Sequence, residues 1–273
     1  MLSSVARQAE QDVEFGFFCP PGRKNFCAPR KNNLCPPDKK NFCSSDAENV
    51  RTLQVTPAPG VILIPDVHGL SDLYRELAQR LCAEGFAVLA IDLYRHGEKP
   101  SLPNVEAALS WIRKLSDPVL LADLQAAADW LSVQPEVAGR RLGVMGFCMG
   151  GQYALLAAAR LRGFSACASF YGTLRYEPGL DPAKKPASPL MLAREICCPV
   201  LGLYGEQDAL IPVEDVQALE QELKRIDSPT EIVLYAGAGH AFMNDRRESA
   251  YRPVVAQDAW RRLCAFFHKH LDA

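Results

Sequence analysis

From Gly60 onward the chain alternates two hydrophobic rhythms. Continuous apolar runs, VILIP (61–65), FAVLAIDLY (86–94), RLGVMGF (141–147), ACASFYG (166–172), PVLGLYG (199–205) and TEIVLYAG (230–237), have the length of strands covered on both faces, as in a parallel sheet. Between them, apolar positions recur at helical spacing over 72–84, 104–115, 119–132, 150–161, 213–225 and 253–271. Strand and helix in alternation predict βαβ units, and so an α/β domain of three layers, α/β/α, around a mostly parallel sheet.

The first fifty residues follow neither rhythm. They carry a repeat of period eight, CPPGRKNF, CAPRKNNL, CPPDKKNF and then CSS, in which six basic residues oppose one acid between Cys19 and Cys43. Such a composition cannot bury enough apolar surface to offset chain entropy, so residues 1–48 are expected to be a disordered extension and 49–273 the catalytic domain. Four thiols at Cys19, Cys27, Cys35 and Cys43 raise the question of a zinc site, but seven intervening residues do not make the short C-x2-4-C pairs of structural zinc. The expectation is no metal.

Composition narrows the function classes. A chain of 273 residues with 48% hydrophobic and 23% charged residues is that of an ordinary globular protein, and a formal net charge of -2 supplies no field for nucleic acid or an acidic membrane. Apolar runs fall short of the ~20 residues that span a bilayer, and no secretory leader pattern opens the chain. A cytoplasmic location is expected, with small molecules as partners, no membrane association, and a monomer or small homo-oligomer as the assembly. Six further cysteines, Cys82, Cys148, Cys167, Cys197, Cys198 and Cys264, are scattered through apolar surroundings and read as reduced thiols.

One of them stands apart. In RLGVMGFCMGGQYALLAAARL, Cys148 occupies the centre of G-x-C-x-G between a strand and a helix, the setting of a nucleophile elbow. Small neighbours permit the sharp turn, and the helix N-terminus favours a thiolate. Taken alone, the context fits an inert packed cysteine as well. Two later segments change that: LGLYGEQDALIP places Asp208 just past a strand, and LYAGAGHAF places His240 just past the next. Nucleophile, acid and histidine in this order, each beyond a strand, is the order of the α/β-hydrolase fold. Backbone N–H groups of Met149, after the nucleophile, and of Val67, after the first strand, are positioned to form an oxyanion hole. No metal or organic cofactor is needed, because nucleophile, base and electrophilic stabiliser are all protein groups.

The chain resembles the dienelactone hydrolase family, a branch of the α/β-hydrolases with a Cys-Asp-His triad. The resemblance runs from about Gly60 to the C-terminus through PDVHGLSDLYRELAQRLCAEGFAVLAIDLY, GFCMGGQYAL, YGEQDALIP, GAGHAF and the final DAWRRLCAFFHKHL. It implies hydrolysis of a lactone or ester through an acyl-enzyme, with Cys148, Asp208 and His240 as the triad. Members acting on dienelactone have a glutamate that restrains the resting thiol; the matching residue here is Asp66, one methylene shorter. They also use arginines for the substrate carboxylate, where this chain has His96, with Arg95 adjacent, and Asn244. Asp66, Arg95, His96 and Asn244 are therefore the candidate substrate contacts, joined by Tyr171, which reads equally as packing or pocket lining. The alternatives are a general carboxylesterase or thioesterase of the same fold, a binding protein with a relic triad, and a thiol redox protein, the last disfavoured by the absence of C-x-x-C.

Overall fold

The computed structural model describes residues 11–21, 56–97, 99–176, 179–226 and 228–272. A hairpin, β1 (Gln11–Val13) and β2 (Gly16–Cys19), is followed by six strands: β3 (Gly60–Ile64), β4 (Ala87–Ile91), β5 (Leu142–Phe147), β6 (Phe164–Phe170), β7 (Val200–Gly205) and β8 (Thr230–Tyr235). They form one sheet in the order β1-β2-β4-β3-β5-β6-β7-β8. All pairings from β4 to β8 are parallel, while β2 joins β4 antiparallel. The chain steps from β3 outward to β4 and then back across to β5, so the sheet reverses direction beside β3, where ligands of open α/β sheets bind at the strand carboxyl ends.

The helices are α1 (Asp72–Ala83), α2 (Val105–Lys114), α3 (Asp117–Ser132), α4 (Met149–Arg160), the single turn α5 (Pro189–Leu192), α6 (Val213–Leu223) and α7 (Pro253–Leu271). Parity along β5 assigns two of them to opposite faces: a Cβ at Gly143 would meet Phe267 and Leu271 of α7, and one at Gly146 would meet the Gly150 backbone of α4. Arg80 of α1 stacks over Trp260 of α7, and Tyr153 of α4 bonds Asp117 of α3, which sorts the neighbours into layers. Strands β3 to β5 are buried throughout, as double coverage requires. The expected three-layer architecture is the observed one, with every strand and helix anticipated beyond residue 60 present.

The expected extension through residue 48 is corrected at its start. Residues 11–19 belong to the sheet: Phe15, Phe17, Phe18 and Cys19 are buried, and Phe18 meets Trp130 of α3 edge-on at 5.5 Å. Gly16 lies in the left-handed half of backbone space, with φ +148, and a Cβ there would sit 2.0 Å from the Ala90 carbonyl oxygen, so only glycine lets β2 approach β4. The repeat beyond residue 21 lies outside the described residues. Among the described residues no helix is long and apolar enough to cross a membrane.

Candidate active site

Cys148 joins β5 to α4 with φ 55 and ψ -118, a conformation an L-residue holds only when its surroundings impose it. Its N–H donates to the Phe170 carbonyl at 2.9 Å, tying the elbow to the end of β6. The flanking glycines are steric necessities: a Cβ on Gly146 would lie 2.0 Å from the Gly150 oxygen, and one on Gly150 would lie 2.1 Å from the Ile64 oxygen. Gly150 thereby lets the head of α4 press against the end of β3. That approach brings the loop carrying Asp66 and Val67 beside the elbow. Among the described residues neither the Val67 nor the Met149 N–H takes part in a backbone hydrogen bond of the surrounding turns and loops.

Asp208 and His240 leave the ends of β7 and β8. Gly205 permits their loops to touch, since a Cβ there would lie 2.4 Å from the Ala238 oxygen. The Asp208 side chain is fully buried; one oxygen accepts the Leu210 N–H at 2.9 Å and the other meets His240 Nδ1 at 2.8 Å. This bond orients the imidazole and turns Nε2 inward, where it is buried and completes no hydrogen bond among the described residues. Burial opposes the charged ring, but a thiolate at Cys148 and the carboxylate of Asp208 outweigh it and push the His240 pKa up to about 10. Cys148 acts on the ring both through its charge and as a hydrogen-bonding neighbour of the imidazole. Such bonds commonly tighten only with substrate present.

Tyr171 packs against the histidine. At φ 40 its ring lies 5.1 Å from His240 and 5.0 Å from Phe242, both edge-on, and its side chain is buried. Asp66 accepts the His68 N–H at 2.8 Å, and the buried Tyr74 hydroxyl is its near neighbour. The other three candidate contacts are engaged elsewhere. Arg95 holds Asp123 at 2.8 Å, reaches Glu14 at 3.5 Å and stacks over Phe15 at 4.7 Å. His96, largely exposed, meets the same Asp123 at 3.2 Å. Asn244 uses its side-chain oxygen to accept the Arg246 N–H at 3.0 Å. Arg95 thus fastens the amino-terminal hairpin to α3, a role invisible while residues 11–19 are read as unstructured. Replacing it with alanine is expected to lower stability by about 1.5 to 3 kcal/mol, the range for a charge-assisted bond. The ratio of KM for an anionic and a neutral ester should stay as in the parent; a selective rise for the anionic one would return Arg95 to the substrate site.

A second polar group lies under the elbow helix. Asp117 accepts from Lys185 Nζ at 2.5 Å, Tyr153 at 2.8 Å and Tyr176 at 2.5 Å, and Gln152 donates to Tyr176 at 3.1 Å. Lys185 and Asp117 are almost fully buried, and burial lowers the lysine pKa against the opposing pull of Asp117. Sequence reasoning passed over this cluster, because a Lys pair in PAKKPASP looks like solvated loop residues. Its pairing clamps the segment after β6 to the first turns of α3 and α4. Among the described residues no group of three or more His, Cys, Asp or Glu converges as a metal site.

An elbow cysteine after β5, a buried acid after β7 and an aligned histidine after β8, on one rim of this sheet, define an α/β-hydrolase. Comparison with known proteins narrows the class. The profile of the dienelactone hydrolase family matches residues 47–271, and the chain belongs to that family. It is 35% identical over 213 residues to a Bradyrhizobium protein assigned as a 2-oxo-3-(5-oxofuran-2-ylidene)propanoate lactonase, covering 78% of this chain and 84% of the relative. It is 33% identical over 213 residues to the carboxymethylenebutenolidase of Rhodococcus opacus, covering 77% and 81%. A crystal structure of a Klebsiella pneumoniae protein assigned as a dienelactone hydrolase superposes with a TM-score of 0.72 at 34% identity, over 78% of this chain and 88% of that one. The chain is accordingly a hydrolase of this family.

Proposed function

We propose that the protein hydrolyses a small unsaturated lactone or ester in two acyl-transfer steps with Cys148 as nucleophile. The observation that carries this reading is His240, aligned by Asp208 at 2.8 Å, with its buried Nε2 electrostatically coupled to the cysteine on the elbow. The thiolate attacks the carbonyl carbon, the C=O electron pair moves onto oxygen, and the N–H groups of Val67 and Met149 receive that charge. Collapse expels the alkoxide or enolate, which takes a proton from His240, and leaves an acyl-thioester. Water then attacks with its proton passing to His240, and the carboxylic acid departs as the thiolate is restored. Asp208 holds the tautomer and balances the imidazolium throughout. These steps need no cofactor.

The names of the relatives supply the substrate class: both are five-membered unsaturated lactones bearing a carboxylate. A reducing, cytoplasmic setting suits a thiolate nucleophile and seven unbridged cysteines among the described residues. One observation favours a second reading, a broader carboxylesterase. The residues standing where dienelactone-cleaving members place arginines do not converge on Cys148, so charge selection for a carboxylate has no evident seat. A rapid-quench reaction with p-nitrophenyl acetate, read by peptide mass spectrometry, tests the chemistry. Acetylation of the peptide carrying Cys148 is expected before steady state, and turnover with no adduct on that peptide defeats the mechanism. Comparing an anionic dienelactone with neutral aryl esters then separates the two substrate readings.

A further inference from the structure

The geometry points to Tyr94 as the residue that positions the oxyanion hole, through the backbone of Val67. This rests on the thiolate reading above and deepens it. Several hydrogen bonds among the described residues hold the loop after β3. The Gly69 N–H closes a turn on the Asp66 carbonyl at 2.9 Å, the His68 N–H donates to the Asp66 carboxylate at 2.8 Å, and the Tyr94 hydroxyl donates to the Val67 carbonyl at 2.5 Å. The third comes from outside the loop and acts on the Val67 backbone itself, whereas Tyr74, also from outside, reaches the Asp66 side chain. The Tyr94 bond ties the peptide that follows Val67 to the end of β4, and because the same residue's φ and ψ also aim its N–H, fixing the carbonyl limits where that N–H can point.

Two further features show that the tyrosine is built in. Gly69, at φ +73, lies so close to the Tyr94 ring that a Cβ would sit 2.8 Å from it, so loop and ring are mutually fitted. Val67 itself is buried, and a carbonyl deprived of the hydroxyl there would have to turn toward another donor. Burial, aided by the charge of Asp66, pushes the Tyr94 pKa up to about 12, which keeps the hydroxyl a donor across the working pH range. Tyr94 acts through Val67 and is a positioning residue. Its contribution appears where negative charge develops on the substrate oxygen, and little of it in ground-state binding.

Tyr94→Phe retains the ring that Gly69 packs against and removes only the donor. With active sites counted by labelling Cys148, kcat for p-nitrophenyl acetate is expected to fall about tenfold, the equivalent of one ordinary hydrogen bond, with KM within about twofold. Alkylation by iodoacetamide displaces iodide at a saturated carbon and builds no oxyanion, so its rate at Cys148 should match the parent. Unchanged kcat, or an alkylation rate that falls in step with kcat, overturns the assignment of Tyr94. A parent protein whose Cys148 resists alkylation would instead reject the thiolate reading, and this inference with it.

Discussion

Cys148→Ala is expected to lower ester or lactone turnover by at least about a thousandfold, the scale on which removal of a covalent nucleophile acts. Thermal unfolding should change little. Alanine and cysteine differ by one sulfur, the site is only partly buried, and the bond from the residue 148 N–H to Phe170 survives the substitution. The strained φ of 55 is imposed by the glycines and the close approach of α4 to β3, which remain. Steady-state assay beside a calorimetric scan decides the matter, and near-parental turnover would sink the thiolate mechanism. Cys148→Ser should also be poor, because a histidine poised to stabilise a thiolate must now deprotonate an alcohol of far weaker acidity.

Deleting residues 1–21 should be nearly as damaging, though through stability. Phe15, Phe17 and Phe18 are buried, and at about 1.5 to 3 kcal/mol per aromatic or aliphatic side chain their loss amounts to roughly 4.5 to 9 kcal/mol. Whole domains are stable by only about 5 to 15 kcal/mol. The deletion also bares the edge of β4 and leaves Arg95 without the Phe15 ring and Arg75 without Asp12 and the Phe17 ring. A chain starting at residue 22 is expected to be aggregated or to unfold well below the parent in a circular-dichroism melt. A parental melting curve for that chain would show the hairpin to be dispensable. The single substitution Phe18→Ala, expected to cost about 3 to 5 kcal/mol, separates loss of packing from loss of the strand.

The proposed catalytic arrangement was legible in the sequence because it is written in local patterns. Each parallel strand is covered on both faces and must be apolar throughout, so VILIP, RLGVMGF and PVLGLYG announce themselves. The elbow is signalled by an equally local motif: Gly146 is required by the Gly150 backbone four residues on, while Gly150 is required by the distant end of β3. Strand ends then locate Asp208 and His240, since a parallel sheet displays all its carboxyl ends on one rim.

What the sequence by itself determined, then, is the alternation of strands and helices, the elbow and the order of the triad; tertiary structure decided how the remaining polar and aromatic side chains are used. The stretch QDVEFGFFC is too short to declare a hairpin, and the Pro- and Lys-rich repeat that follows masks it; its strands gain their stability by pairing with β4, some seventy residues on. Arg95 looked free to meet a substrate because its partners, Asp123 and Phe15, lie far along the chain in opposite directions. Lys185 reads as a solvated cation until the fold sets Asp117 and Tyr153 against it, and Tyr94 as one more strand-end aromatic until its hydroxyl meets the Val67 carbonyl. Periodicity reports which face of an element is buried. It carries no information about which distant group shares that burial, and for a charged or hydroxyl-bearing side chain that partner determines the role.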